Sequence, residues 1–378
     1  MKFGIFGDSH HNKMRAMEHI VYDEFMPRGV QQIINTGDIK PEHMRPEFFG
    51  NLPTICVLTD EQFADKRLVI QHKDELPEIL LSPPKWKFTW PNNRIVDLGE
   101  YYAYIGHKRS FDLLSRSEQE LRQTFHDIRK RHNNVRWMFS GHTHHQIYME
   151  SRLISFINPG AIEDSYGTAG GYEFAILDTE SEEVIFSRIQ ESSPVKKPLK
   201  LGVISDSFDI SEMDPTLWGK LAKRLQEQNV THIIHCGNIS LNDIGRPELG
   251  DFSEVWYNLR QDQGKGPSEG NWKLIDANEP IITINGYQFC VQLFLGPEIF
   301  KQSEAQMEST TDTIQTRFPE TNFILCGATR NAFLEEGQKV FILNPGDVIR
   351  DKDYAVIDLP RYEITFGRIQ NEPFPSII

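Results

Sequence analysis

Short apolar runs, each closing on Gly, Asp, Asn or His, recur along the chain and alternate with stretches of helical spacing. Lys2–Phe6 reads as a buried strand, and Asn12–Phe25 as a helix with Met14, Met17, Ile20, Val21 and Phe25 on one side. Gln32–Asn35 and Thr54–Leu58 are further short strands, and Ser115–His132 is a charged amphipathic helix. Strands then follow in series at Trp137–Ser140, Leu153–Asn158, Glu173–Asp178 and Val184–Gln190. The alternation predicts an α/β fold, with polar turns at strand ends where open α/β sheets place their sites.

The whole course then repeats. Gly7-Asp8-Ser9-His10 returns as Ser205-Asp206-Ser207-Phe208, and Asn35-Thr36-Gly37-Asp38 as His235-Cys236-Gly237-Asn238. Gly141-His142-Thr143-His144 returns as Gly327-Ala328-Thr329-Arg330, and Asn158-Pro159-Gly160 as Asn344-Pro345-Gly346. Phe186-Ser187-Arg188-Ile189-Gln190 is echoed by Phe366-Gly367-Arg368-Ile369-Gln370. The order is kept while the spacing drifts, as expected when loops change length and core segments do not. A unit this long is a duplicated domain, since solenoid repeats run to roughly 20–50 residues. The polar, proline-bearing stretch from Glu191 to Pro198 reads as the linker, giving domains at 1–191 and 199–378.

Composition narrows the class. No apolar run approaches the ~20 residues that span a membrane, and the chain enters a strand without a signal-peptide pattern. Cys56, Cys236, Cys290 and Cys326 sit singly in apolar contexts, as reduced core residues of a cytoplasmic protein do. The net charge of −14 argues against a dedicated nucleic-acid surface. A small phosphorylated substrate stays open, because metal ions supply the missing positive charge.

In the first half Asp8, His10, Asp38, Asp60, His142 and His144 stand at the ends of apolar runs beside glycine or small residues. Carboxylates with imidazoles suit divalent transition ions such as Mn, Fe, Zn or Ni better than Ca or Mg. The alternate spacing in Asp8-Ser9-His10 and His142-Thr143-His144 aims two side chains of one turn at a common centre. Two ions bridged by a carboxylate, ~3.5–4 Å apart, would activate a water and neutralise a phosphoryl group. His11 and His145 each follow a histidine of this set; they are either phosphate contacts or solvent-facing loop residues. The stretch from Glu61 to Asn93, with Trp86, Phe88 and Trp90, is either a specificity lid or a cover for core.

These motifs resemble the calcineurin-like metallophosphoesterases, closest to the small branch of YfcE-like phosphodiesterases and the phosphoesterase-like subunit of retromer. The resemblance spans nearly all of residues 1–190 and implies a four-layer α/β/β/α sandwich, here twice in tandem. It makes Asp8, His10, Asp38 and His144 ligands of one metal, and Asp38, Asp60 and His142 ligands of the other. The family's Gly-Asn reads Thr59-Asp60 here, and the assisting His that follows is Glu61. Its His-Gly-His turn reads Ile105-Gly106-His107, so the second metal lacks a ligand unless the turn shifts register. One tight ion, Mn by preference, and one weaker ion are expected. Asp38 and His107 are the catalytic candidates, and His11 and His107 those for substrate.

In the second half the corresponding positions read Asp206, Phe208, Asn238, Asn278, Ala328 and Arg330. Two surviving oxygen ligands cannot close a transition-metal site, so this copy is expected to be metal-free, with Arg330 pairing with Asp206. The chain then reads as a metal-dependent phosphodiesterase of small soluble phosphate esters, with a second domain that packs or binds a protein partner. The competing reading is a non-catalytic scaffold in which both domains serve protein partners.

Overall fold

The computed structural model describes residues 1–9, 14–37, 39, 46–57, 86–89, 95–98, 101–107, 118–132, 134–150, 154–162, 171–190, 196–207, 216–259, 270–292, 313–327, 331–336 and 340–369. By their internal contacts the residues form two compact units. One comprises Met1–Thr179, Phe186–Glu191 and Phe300–Glu308; the other comprises Glu180–Ile185, Ser192–Ile299 and Ser309–Ile378.

In the first unit the strands are β1 (Lys2–Phe6), β2 (Gln32–Asn35), β3 (Thr54–Val57), β4 (Trp86–Thr89), β5 (Ile95–Asp97), β6 (Tyr102–Ile105), β7 (Val135–Phe139), β8 (Gln146–Glu150), β9 (Ser155–Pro159), β10 (Gly171–Asp178) and, from Phe186 onward, β11 (Glu183–Gln190). One sheet runs in the order β11-β10-β1-β2-β3-β4, the other β8-β9-β7-β6-β5. From β1 to β4 the pairing is parallel, while β10 runs antiparallel to β1. Phe3, Ile5 and Phe6 are all fully buried. Such an unbroken apolar run belongs to a strand covered on both faces.

Helix α1 (Met14–His19) continues as a π-helical segment, Ile20–Phe25, so the anticipated helix changes pitch midway. A long helix, α2 (Glu118–Arg131), precedes β7. Phe25 packs where a side chain at Gly4 would lie, 2.3 Å from its would-be Cβ, and stacks on Phe6 at 6.0 Å between centroids. Each fully buried phenylalanine of this kind contributes about 1.5–3 kcal/mol.

The second unit holds β12 (Leu199–Ile204), β13 (His232–His235), β14 (Glu254–Tyr257), β15 (Trp272–Leu274), β16 (Ile281–Ile284), β17 (Tyr287–Gln292), β18 (Thr321–Cys326), β19 (Ala332–Glu336), β20 (Phe341–Pro345), β21 (Asp353–Leu359) and β22 (Glu363–Arg368). Its sheets run β22-β21-β12-β13-β14-β15 and β19-β20-β18-β17-β16, the same order as in the first unit. The parallel pairings β1-β2-β3-β4 and β6-β7-β9 recur as β12-β13-β14-β15 and β17-β18-β20, and the antiparallel pairs β1-β10, β5-β6 and β8-β9 as β12-β21, β16-β17 and β19-β20. The register slip at Tyr102/Ala103 between β6 and β7 recurs at Gln288/Phe289 between β17 and β18. Helix α3 (Leu217–Glu227) buries Leu217, Trp218, Leu221, Ala222 and Leu225. This is the stripe of an amphipathic helix, and it packs on Ile233, Val255, Tyr257 and Trp272.

The strands anticipated from pattern fall within a few residues of those observed. The short strands β5, β6 and β8 were not marked by the pattern. Trp86–Thr89, anticipated as lid or core cover, adds β4 parallel to β3; the rest of that stretch lies outside the described residues. All four cysteines are buried and free of disulfides.

Candidate metal centre

The site of the first unit assembles from three strand ends. After β1, Asp8 adopts a left-handed conformation (φ 53°) and donates its N–H to the Gly37 carbonyl at 3.1 Å. This ties the turn after β1 to the turn after β2. Thr36 N–H donates to Phe6 O (2.9 Å), and Gly37 N–H to the Asn35 Oδ1 (2.9 Å). Asp8 is fully buried, and its Oδ2 accepts the His142 N–H at 2.8 Å. Its Oδ1 lies 3.8 Å from the Nε2 atoms of both His107 and His144. The rings of His107 and His142 meet edge to face with centroids 5.1 Å apart.

Three glycines make this closure feasible. A Cβ on Gly37 (φ 125°) would stand 2.5 Å from His107 Nδ1. One on Gly141 would stand 2.8 Å from Asp8 Oδ2, and one on Gly7 2.1 Å from Thr36 Oγ1. His142 and His144 are themselves left-handed, with φ of 80° and 58°. Such backbone costs of order 1–3 kcal/mol per residue and concentrates at functional sites. Asn158 holds this turn, donating from Nδ2 to Thr143 Oγ1 (2.8 Å) and Gly141 O (3.3 Å). Its Oδ1 accepts the Gly160 N–H at 3.1 Å.

His107 is buried, and its Nδ1 lies 3.1 Å from Thr36 O. A carbonyl only accepts, so Nδ1 carries the proton and Nε2 is left with the lone pair directed at Asp8. Ile105, in the place of the family's ligand histidine, is fully buried in β6. The turn therefore brings His107, two residues on, into the centre. His145 is half-buried in the bend before β8. It lies near the buried carboxyl of Glu173, which burial pushes upward against the pull first of Arg188, then of His145. Arg188 Nε donates to Glu173 Oε1 at 2.7 Å. This pair lies beneath the Asn-Pro-Gly turn, where a Cβ on Gly160 (φ 84°) would collide with Glu173 Oε2.

Of the residues singled out in the sequence, Asp8, His142 and His144 come together, joined by His107. His10, His11, Asp38 and Asp60 lie outside the described residues. Among the described residues no group of three or more acidic, histidine or cysteine side chains is gathered tightly enough to hold an ion. The chemistry of the donors nevertheless fits one: a buried carboxylate oxygen equidistant from two imidazole nitrogens suits a divalent transition metal.

The second unit keeps the frame and changes the donors. Asp206 (φ 58°) donates its N–H to Gly237 O at 3.1 Å, and Cys236 N–H donates to Ile204 O at 2.8 Å. Asn238 Nδ2 donates to Asp206 Oδ1 at 2.8 Å. The Ser205 hydroxyl stands between Asp206 Oδ2 (3.0 Å) and Gly346 O (2.8 Å). Where the first unit has Asn35, the second has buried His235, whose Nδ1 accepts the Gly237 N–H (3.2 Å). Its Nε2 therefore carries the proton and donates to Ser207 Oγ at 3.0 Å. Burial depresses its pKa to about 3, so this imidazole stays neutral. Asn278 sits in an exposed turn, its N–H bonded to Asp276 Oδ1 at 2.8 Å. Phe208, Ala328 and Arg330, with the anticipated Arg330–Asp206 pair, lie outside the described residues.

Residues 1–182 match the model of the calcineurin-like phosphoesterase superfamily domain. Among solved structures the chain is similar to an archaeal phosphodiesterase at 20% identity, covering 50% of this chain and 100% of that one, TM-score 0.36. It is also similar to YfcE, a phosphoesterase from E. coli, at 17% identity, covering 50% and 93%, TM-score 0.31. Zinc-bound Vps29 from Entamoeba histolytica matches at 16% identity, covering 50% and 91%, TM-score 0.29. No curated protein matches the sequence. Among the described residues no helix is long and apolar enough to cross a membrane.

Proposed function

We propose that the first unit is a metal-dependent phosphodiesterase acting on a small soluble phosphate ester in the cytoplasm. The observation that supports this most directly is Asp8 Oδ1, buried and facing His107 Nε2 and His144 Nε2 at the same 3.8 Å. Asp8, His10, Asp38 and His144 would hold the tighter ion, Mn by preference over Fe, Ni or Zn. Asp38, Asp60 and His142 would hold the weaker one, with His107 Nε2 in the position left by Ile105. Bound ions would supply an activated water and neutralise phosphoryl charge. The chain's own residues position this chemistry. Thr36 O fixes the His107 tautomer, the Asp8 turn aims the carboxylate, and Asn158 holds the His142-Thr143-His144 turn. His11 is assigned to the substrate phosphate. The carboxylates need cations nearby, since burying an ionised acid alone is costly.

We read 1–191 and 199–378 as duplicated domains, the second without a metal. Its matched strand order and the internal bonding of Asp206 favour a packing or protein-binding role. A second reading, that the whole chain is a scaffold, is favoured by Ile105 standing where the family has a ligand.

Hydrolysis of bis-p-nitrophenyl phosphate by the full chain, titrated with Mn, Ni, Co, Zn and Mg beside Asp8→Asn and Asp38→Asn, decides between them. Metal-dependent turnover lost in both variants supports the enzyme. Bound metal without turnover establishes the scaffold.

A further inference from the structure

Behind the Asp8 turn lie two buried polar atoms that make no hydrogen bond, Asn35 Nδ2 and Ser9 Oγ. Both residues are fully buried. Buried amide and hydroxyl groups are rarely left in this state, and each costs about as much as a lost hydrogen bond. The second unit shows what the geometry accommodates. Phe6 is in register with Asn35 across β1 and β2, as Ile204 is with His235 across β12 and β13. The turns are tied by the same bond, Asp8 N–H to Gly37 O and Asp206 N–H to Gly237 O, each 3.1 Å. Asn35 Oδ1 and His235 Nδ1 accept the same backbone proton, from Gly37 and Gly237. The imidazole then reaches across to Ser207 Oγ at 3.0 Å. Asn35 and Ser9 hold the positions of His235 and Ser207, and an amide is shorter than an imidazole.

We propose that one internal water molecule bridges Asn35 Nδ2 and Ser9 Oγ, and that through it these two residues position the turn at Asp8. The water accepts from the amide and exchanges a hydrogen bond with the hydroxyl, as buried waters do when two to four polar partners surround them. The second unit replaces amide plus water by one histidine. Ser9 follows Asp8 directly, so the bridge limits how far Asp8 can swing. The positioning role rests on the metal centre proposed above; the bridge itself does not.

A crystal structure of the full chain at high resolution tests the bridge: density within hydrogen-bond distance of both Asn35 Nδ2 and Ser9 Oγ is expected. A dry site, or direct contact between the two side chains, overturns it. Asn35→His should rebuild the second unit's arrangement and raise the melting temperature by a few degrees, and Ser9→Ala added to it should remove that gain. A melting temperature lowered by Asn35→His shows that there is no room for the imidazole and rejects the bridge. If Asn35→His does not fold, the density decides. For the positioning role, Ser9→Ala should weaken Mn binding by about three- to tenfold, measured by titration of the metal alone, and Ser9→Thr should restore it. Unchanged Mn affinity in Ser9→Ala removes the positioning role. A wild-type chain that binds no Mn overturns the metal centre and the positioning role with it, while the density and melting results still judge the bridge.

Discussion

At the end of β1, Asp8 turns left-handed, takes a backbone proton from His142 and shows its other oxygen to two imidazoles. At the end of β12, Asp206 makes the same turn and has Asn238 and Ser205 at its oxygens instead. The backbone angles differ by only a few degrees, and the tie to the neighbouring glycine carbonyl is the same length. The frame of the site is thus a property of the fold, set by parallel strands and a positive-φ glycine. What separates the units is how the buried acid is compensated. Asp206 meets the amide of Asn238 and the hydroxyl of Ser205, whereas Asp8 meets a backbone N–H and faces two imidazoles.

Substitutions at matched positions probe this contrast, the largest effect coming first. Asp8→Ala should lower phosphodiesterase turnover by about 100-fold or more. Asp206→Ala should leave turnover within about twofold and destabilise the second unit by about 1–3 kcal/mol, through the stranded Asn238 donor. Equal losses of turnover in the two variants would break the comparison. Next are the carboxylate–arginine pairs beneath the two Asn-Pro-Gly turns, Glu173–Arg188 and Asp353–Arg368. A Cβ on Gly346 would lie 2.6 Å from Asp353 Oδ2, much as one on Gly160 would crowd Glu173. Glu173→Ala should cost about 3 kcal/mol in denaturant unfolding, because Arg188 loses the carboxylate it donates to, and Asp353→Ala less, because Arg368 keeps Glu182 at 3.7 Å. Only the first should also weaken Mn binding, since Asn158 of that turn holds the His142–His144 segment.

His235 gives a pH signature. Its folded pKa of about 3 lies below the ordinary value near 6.5, so the unfolded chain binds the extra proton between these limits. Stability contributed by neutral His235 is therefore complete above about pH 6.5 and falls with acidification, by up to about 1.4 kcal/mol per pH unit. Melting of His235→Asn between pH 7 and pH 4 should show a shallower loss than the wild type. Smallest is Gly29→Ala at φ 74°, where a Cβ meets nothing within 4 Å: strain alone should cost about 1–2 kcal/mol, and Mn affinity should not move.

Much of this frame is legible in the sequence because it depends on local chemistry. The apolar runs at Lys2–Phe6 and Gln32–Asn35 and the glycines beside them fix strands and turns, and the repeated motifs foretell two units of like order. The site residues Asp8, His142 and His144 follow from the same reasoning, as strand-end polar groups. What pattern could not supply is reach. Tyr104-Ile105-Gly106-His107 marks His107 only through its likeness to the family's turn, and its inward course depends on Gly37 and Gly141 leaving room for its ring. Nor does the sequence mark β8, whose Gln146 is buried and donates to Ser187 O at 2.9 Å; a polar residue there breaks the alternation. The carboxylate–arginine pairs carry a faint signal, the repeated arginines 188 and 368, which gains meaning only once Glu173 and Asp353 are seen beside them. Asn35 and His235 look unrelated until their shared acceptor role places them in one position.

The left-handed turn at Asp206 also shapes what mutation can do to the second unit. Few residue types occupy φ near 58° without strain, chiefly Gly, Asn and Asp, so this position tolerates little drift whatever the unit's role. Its neighbour Asn238, also left-handed at φ 56°, is a single base change from aspartate. As long as the fold enforces these two turns, the geometry that receives a ligand is inherited along with the core. At these two positions the left-handed turns are therefore held by a backbone that selection for stability alone preserves.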